Sequence, residues 1–253
     1  IFREQGVNGQ NEMAAAFILA GFEASDIHMQ DVLDNPSLLE EFQGLAACGG
    51  FSYGDVLGAG GGWSSSIRYN NGVRDAFEHF FNRDETFTFG VCNGCQMLSN
   101  IKDLIPGAEN WPEFLWNESD QFEARLSQVT IAQSKSVLLD GMEGWQIPVA
   151  VAHGEGRASF AENALKLLSD QHQIAVQFTD NKGVVASSYP LNPNGSPEGI
   201  TGLTSTDGRA TIMMPHPERV FRSQQMSWKS PKWKEYSPWM QIFINAYKFS
   251  QES

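Results

Sequence analysis

Cysteine is scarce. Three thiols in 253 residues cannot build a disulfide framework, and that scarcity favours a reducing cytosol, so the expected location is cytoplasmic. Positive charge is scarce as well: 17 lysines and arginines stand against 30 acidic residues, a net charge of −13. Such a surface repels a phosphate backbone and an anionic membrane alike, which argues against nucleic acid and lipid as general partners. Long apolar runs are missing too. The longest candidate, Met13 to Phe22 ("MAAAFILAGF"), is far shorter than the roughly 18 residues a spanning helix requires. No internal repeat and no low-complexity tract interrupts the chain. What remains, 41% hydrophobic and 19% charged, is the composition of an ordinary globular protein. A chain of this length buries roughly 70–75% of its unfolded surface and needs no staples.

The first half alternates between helix and strand signals. Residues 11–20 carry a helix pattern stopped by Gly21, and 25–29 and 44–48 read as strands. The second strand runs into a glycine-rich loop, "GGFSYGDVLGAGGG" (49–62). Residues 63–81 place Ile67, Val73, Phe77, Phe80 and Phe81 at helical spacing, which predicts one helix. A strand at 86–91 and a helix at 94–105, closed by Pro106 and Gly107, follow. This β-α-β-α order predicts an α/β fold with an open, mostly parallel twisted sheet and helices on both faces.

The second half has another texture. Strands are expected at 123–132, 147–153, 174–180, 200–205 and 209–215, with hairpin turns at Asp180–Gly183 and Asp207-Gly208. A Pro/Gly/Asn loop occupies 189–199, and an amphipathic helix closes the chain at 238–249. One continuous domain over 1–253, with an antiparallel extension, fits this pattern better than two domains. The opening "IFREQGVN" reads as the tail of a strand, so the expectation is a C-terminal fragment of a longer chain, cut inside its first strand.

Chemistry concentrates in "FTFGVCNGCQML" (87–98). A zinc site needs four ligands, and here one C-x-x-C stands without a second pair and with only scattered histidines. A redox pair opening a helix fits the position but not the glycines. Gly90-Val91-Cys92-Asn93-Gly94 matches the nucleophile elbow, a strand-to-helix turn too sharp for side chains two positions from the nucleophile. The turn lifts one side chain to the top of the sheet and sets it at a helix N-terminus, where the dipole favours a thiolate. Cys95 lies a turn further into the helix. Cys92 is the candidate nucleophile, with a buried structural cysteine as the plain alternative.

A thiol nucleophile calls for a base, and the base for an orienter. Of five histidines, His28, His79 and His172 have no evident partner. His153 and His216 each follow an apolar strand and have a glutamate two residues on, Glu155 and Glu218. Pro215 and Pro217 bracket His216 and hold its backbone extended, so Glu218 points to the same side as the imidazole. Glycines leave the His153 loop looser, closer to a substrate wall. His216 with Glu218 is the preferred pair, and an ordinary proline turn the plain alternative. The N–H of Asn93 offers one oxyanion donor, and the turn at Gly50 and Phe51 a second. The glycine loop lacks the lysine and spacing of a phosphate cradle.

With these residues placed, "GVCNGCQ" and "PHPE" resemble the class I, or triad, glutamine amidotransferases, which have a flavodoxin-like fold. "REQGVN", "ACGGFSYGDVLGAG", "AHGEGR", "NPNGSPEGITG" and "TIMMPHPERVFR" narrow the resemblance to the glutaminase domain of the large single-chain phosphoribosylformylglycinamidine synthases. That resemblance implies a triad of Cys92, His216 and Glu218. It also implies backbone contacts from Gly50, Phe51 and Asn93, and a role for Gln96 in binding glutamine. It implies glutamine as substrate, no cofactor or metal in this chain, and ammonia delivery to a synthetase portion absent from the sequence. There ATP and magnesium would serve amination of formylglycinamide ribonucleotide in purine biosynthesis. A cysteine redox or stress sensor and a cysteine peptidase on the same fold are the competing readings.

Overall fold

The structure, a computed structural model, describes residues 1–252 and leaves Ser253 outside. The alternating half runs β1 (Phe2–Arg3), α1 (Gln10–Ala20), β2 (Ile27–His28), α2 (Met29–Asp34), β3 (Gly44–Ala47), α3 (Gly61–Arg68), α4 (Asn71–Asn82), β4 (Phe87–Val91) and α5 (Asn93–Asn100). Then come β5 (Glu113–Leu115), β6 (Glu123–Ile131), β7 (Gln146–His153), β8 (Arg157–Ser159) and α6 (Ala164–Asp170). β9 (Ile174–Phe178), β10 (Ile200–Thr204), β11 (Ala210–Met213) and α7 (Met240–Glu252) complete the order.

Nine strands form one sheet in the order β2-β1-β3-β4-β11-β10-β9-β6-β7. Pairing is parallel from β2 to β11 and antiparallel from β11 to β7, so β11 is the seam between the two halves. β5 and β8 form a separate antiparallel pair beside it. β1 lies inside the parallel half, with Phe2 opposite both Ile27 and Ala47. Among the described residues no helix is long and apolar enough to cross a membrane.

Helices cover both faces because the central strands are apolar on both. Phe87 and Phe89, two apart on β4, meet α1 and α7: Phe87 stacks on Phe17 at 6.0 Å and Phe89 meets Phe243 edge-on at 6.3 Å. Gly90 points to the other face, where a Cβ would lie 2.5 Å from Leu98 of α5. On β1, Phe2 packs against Trp63 of α3 and Phe77 of α4 at 5.1 and 5.5 Å. Each buried ring is worth about 1.5–3 kcal/mol, so these contacts fix the layering.

Three local features differ from expectation. The single helix over 63–81 is two, because Asn70 leaves helical geometry and its Oδ1 accepts the Val73 N–H at 3.3 Å, capping α4. The apolar spacing survives the break, since Trp63, Ile67, Val73, Phe77, Phe80 and Phe81 are all buried. The helix after the cysteines ends at Asn100 and continues as a 3-10 turn over Lys102–Leu104. The Asp207-Gly208 hairpin has a four-residue loop rather than two, with the Ser205 N–H on the Ala210 carbonyl at 2.9 Å and Gly208 at φ 81°.

Candidate active site

β3, β4 and β11 are neighbours, and their C-terminal ends deliver the glycine loop, the elbow and the "PHPE" segment to one edge of the sheet. Cys92 caps α5 with φ 50° and ψ −109°, a positive-φ conformation that costs a non-glycine residue of order 1–3 kcal/mol. Its N–H donates to the Met213 carbonyl and its carbonyl accepts from Gln96, both at 2.9 Å, so strand and helix together hold the strain. The elbow glycines are needed for a different reason from the one expected. A Cβ on Gly94 would lie 2.2 Å from the Ala47 carbonyl oxygen, and one on Gly90 would strike Leu98. Both collide with neighbouring elements, not with the nucleophile.

His216 is anchored by its own backbone, whose N–H donates to Ala150 of β7 at 2.8 Å. Its Nδ1 lies 2.6 Å from Glu218 Oε1, with both side chains buried. The pair forms through a tight turn and not along an extended strand. Pro217–Arg219 is a 3-10 turn, and its curl brings the carboxylate back under the ring. The far edge of the imidazole faces Cys92 across Gly49, where a Cβ would sit 2.6 Å from His216 Cε1 and 3.2 Å from Cys92 Cβ. Burial works against a charge on His216, but the Glu218 carboxylate and then the Cys92 sulfur outweigh it and raise its pKa to about 9. Sγ of Cys92 lies 3.6 Å from the Ala152 carbonyl, which accepts from the thiol when it is protonated. Cys48 and Cys95 are buried thiols whose burial pushes their pKa values well up, so neither competes as a thiolate.

The rival pair does not form. Glu155 Oε2 accepts the Ala59 N–H at 3.2 Å, away from His153. His153 is buried, and that burial together with the nearby His216 lowers its pKa to about 3. It is a neutral imidazole.

The expected oxyanion donors separate. The N–H groups of Asn93 and Gly50 make no hydrogen bond among the described residues, whereas the Phe51 N–H donates to the Gly6 carbonyl at 2.9 Å. Phe51 is thereby removed as a backbone donor, because a bridge between Val7 and Gly50 directs that amide inward. Its half-exposed ring rests against Phe122 at 6.0 Å instead. Gln96 is likewise turned inward: Nε2 donates to the Glu155 carbonyl at 2.6 Å and Oε1 accepts from Asn93 at 3.2 Å. With both ends of its amide in use, it ties the elbow to the loop after β7. Among the described residues no cluster of three or more histidine, cysteine or acidic side chains is placed to hold a metal ion.

Several supporting residues carry no local sequence signal. The Asn93 side chain accepts from Ser52 N–H and donates to Asp55, each at 3.1 Å, docking the glycine loop on the elbow. Tyr53, at φ 52°, donates its hydroxyl to the buried Glu4 carboxylate at 2.7 Å. Asn117 and Asn194, both buried, clasp the "AHGEGR" loop through the backbone of His153 and Gly156. Only the fold reveals their partners.

The fold is shared with a chain of the PurLQS structure from Thermotoga maritima, with 22% identity, a TM-score of 0.69 and coverage of 98% of this chain and 96% of that one. A putative GMP synthase protein from Thermoplasma acidophilum aligns at 12% identity and a TM-score of 0.56, over 99% and 92%. At such identities the likeness is one of fold. The sequence itself matches the CobB/CobQ-like glutamine amidotransferase domain over residues 1–250. With that match spanning nearly its whole length, the chain belongs to the CobB/CobQ-like glutamine amidotransferase domain family.

Proposed function

We propose that this chain is the glutaminase part of an enzyme that converts formylglycinamide ribonucleotide to formylglycinamidine ribonucleotide. The observation that carries the glutaminase reading is a buried imidazole, His216, held between Glu218 and a strained elbow cysteine, Cys92. The thiolate of Cys92 attacks the side-chain carbonyl carbon of glutamine. The oxyanion that forms is received by the N–H groups of Asn93 and Gly50. His216, as imidazolium, gives its proton to the departing nitrogen, so ammonia leaves and a glutamyl thioester remains. Neutral His216 then takes a proton from water, whose oxygen attacks the thioester. Collapse of the second oxyanion releases glutamate and regenerates the thiolate and imidazolium. Glu218 keeps the ring in one orientation and balances its charge throughout.

The ammonia passes to a synthetase portion that uses ATP and magnesium, in the cytoplasm and within purine biosynthesis. The sequence blocks shared with that family of synthases support this step, as do exposed apolar side chains on the glycine loop and beside the loop after β7. Val56 and Leu57 are 82% and 71% exposed on the glycine loop, and Trp116 and Phe122 are exposed beside the Gly154 backbone. A docked partner would cover that surface and set the Gly50 turn. In a sensor Cys92 would need access to oxidant and no oriented base; here it is buried beside one.

The test is ammonia release from glutamine by the chain alone, then with the synthetase portion, ATP and acceptor. We expect weak turnover alone and a large rise in kcat with little change in KM. Equal turnover in both states would refute the coupling. Absence of ammonia in both, with cleavage of peptides, would refute the glutaminase reading.

A further inference from the structure

Two buried imidazoles, His153 and His216, share the interior behind the elbow, and a proton on His216 disfavours one on His153. An interior buried from solvent supports one such charge far better than two. Which ring carries it is settled by their partners. His216 faces a carboxylate. His153 faces an amide, and the orientation of that amide follows from its other contacts. Asn194 Oδ1 accepts the backbone N–H of Ser196 at 3.1 Å, and Nδ2 donates to the Gly156 carbonyl at 2.8 Å. An N–H cannot accept and a carbonyl cannot donate, so the atom facing His153 Nε2, at 3.3 Å, is the NH2 group. Nε2 must therefore be the bare, accepting nitrogen. The proton of the neutral ring sits on Nδ1, a buried nitrogen with no hydrogen-bond partner among the described residues, the Met214 backbone being the polar group that favours a proton on this ring.

We propose, on the footing of the glutaminase reading above, that Asn194 is a positioning residue that fixes the neutral, Nδ1-protonated form of His153. The pocket's single positive charge then resides on His216, beside Cys92. The surroundings leave this role to the amide. Glu123 lies opposite His153 on β6 but is engaged by Arg125 and by Ser119. Glu155, on the same loop, is turned to the Ala59 N–H. Glu118 packs against Gly195, and Glu218 belongs to His216. Among the described residues no carboxylate is hydrogen-bonded to the His153 ring.

The experiment is long-range proton–nitrogen correlation NMR on the histidine-labelled chain across its folded pH range, for the native protein, Asn194→Asp and Asn194→Ser. The native chain should show His153 neutral with its proton on Nδ1, and His216 as imidazolium at neutral pH. In Asn194→Asp the carboxylate demands a proton on His153 Nε2. His153 then charges, and the titration midpoint of His216 falls by about one unit, a tenfold loss of proton affinity. Asn194→Ser removes the amide without adding an acceptor-only group and should leave the His216 midpoint in place. A native His153 that is charged, or protonated on Nε2, would overturn the assignment without any variant. So would an unmoved His216 midpoint in Asn194→Asp, or an equal shift in Asn194→Ser, which marks a merely structural role. A native His216 that is neutral at neutral pH would instead refute the charged triad, and the assignment with it.

Discussion

Replacing Glu218 by Gln should remove a pH-dependent part of the stability of this protein. His216 titrates near its ordinary 6.5 in the unfolded chain and at about 9 in the fold. Between those values the folded chain binds the extra proton. The stabilisation is therefore fully present below pH 6.5 and is lost as pH rises through about 9. A gap of about 2.5 units, at 1.36 kcal/mol per unit, makes the effect about 3 kcal/mol. A glutamine keeps a hydrogen-bond acceptor for Nδ1 but supplies no charge, and burial then opposes protonation with only the Cys92 sulfur against it. Urea unfolding at a series of pH values reads the effect directly. The native chain should weaken progressively from pH 6.5 to about 9, while Glu218→Gln starts weaker and stays flat. Other titrating groups are common to both proteins and cancel in the difference. Turnover should fall as well, but less than in His216→Ala, since the proton carrier is still present. Parallel stability curves for native and Glu218→Gln would refute the ion pair as the source of the raised pKa.

Cys92→Ser should abolish ammonia release, whereas Cys95→Ser should keep most turnover and lose about 1–3 kcal/mol through a buried, unpaired hydroxyl; a glutamine-derived label on Cys95 would contradict this. Gly94→Ala sets a methyl 2.2 Å from the Ala47 oxygen, so denaturant unfolding should show a loss of at least about 1–3 kcal/mol and Cys92 should lose its reactivity. An unchanged midpoint would mean that strand and elbow can part without cost. His153 has the opposite sign to His216: its folded pKa of about 3 lies below the unfolded 6.5, so stability drains as pH falls between them. His153→Gln should flatten that acid limb, and an acid midpoint identical to the native one would argue against a neutral buried ring.

The elbow was legible because its glycines record close approach of neighbouring elements, and the strands of the second half were legible because turn residues separate short apolar runs. The "PHPE" pair was legible in its partners but not in its shape, since proline permits both an extended chain and the 3-10 turn that forms. The break at Asn70 was hidden because the apolar spacing runs through it unaltered. Long-range hydrogen bonding was hidden altogether. Nothing near Phe51 announces that Gly6 takes its N–H, and nothing near Gln96 announces that the Glu155 carbonyl takes its amide. β5 and β8, three residues each, are too short to leave a periodic trace.

The seam at β11 also sets a timetable. Its register with β4, Ala210 opposite Thr88 through Met213 opposite Val91, joins segments more than a hundred residues apart. Such a contact closes a long loop and belongs to the late steps of folding. A ribosome releases Cys92 well before it releases His216 and Glu218, so in a growing chain the cysteine is an ordinary thiol. Nucleophilicity therefore waits on closure of the seam, which brings His216 and Glu218 to the elbow. The half-made protein is thus spared a reactive sulfur at the stage when its apolar strands are open to wrong partners.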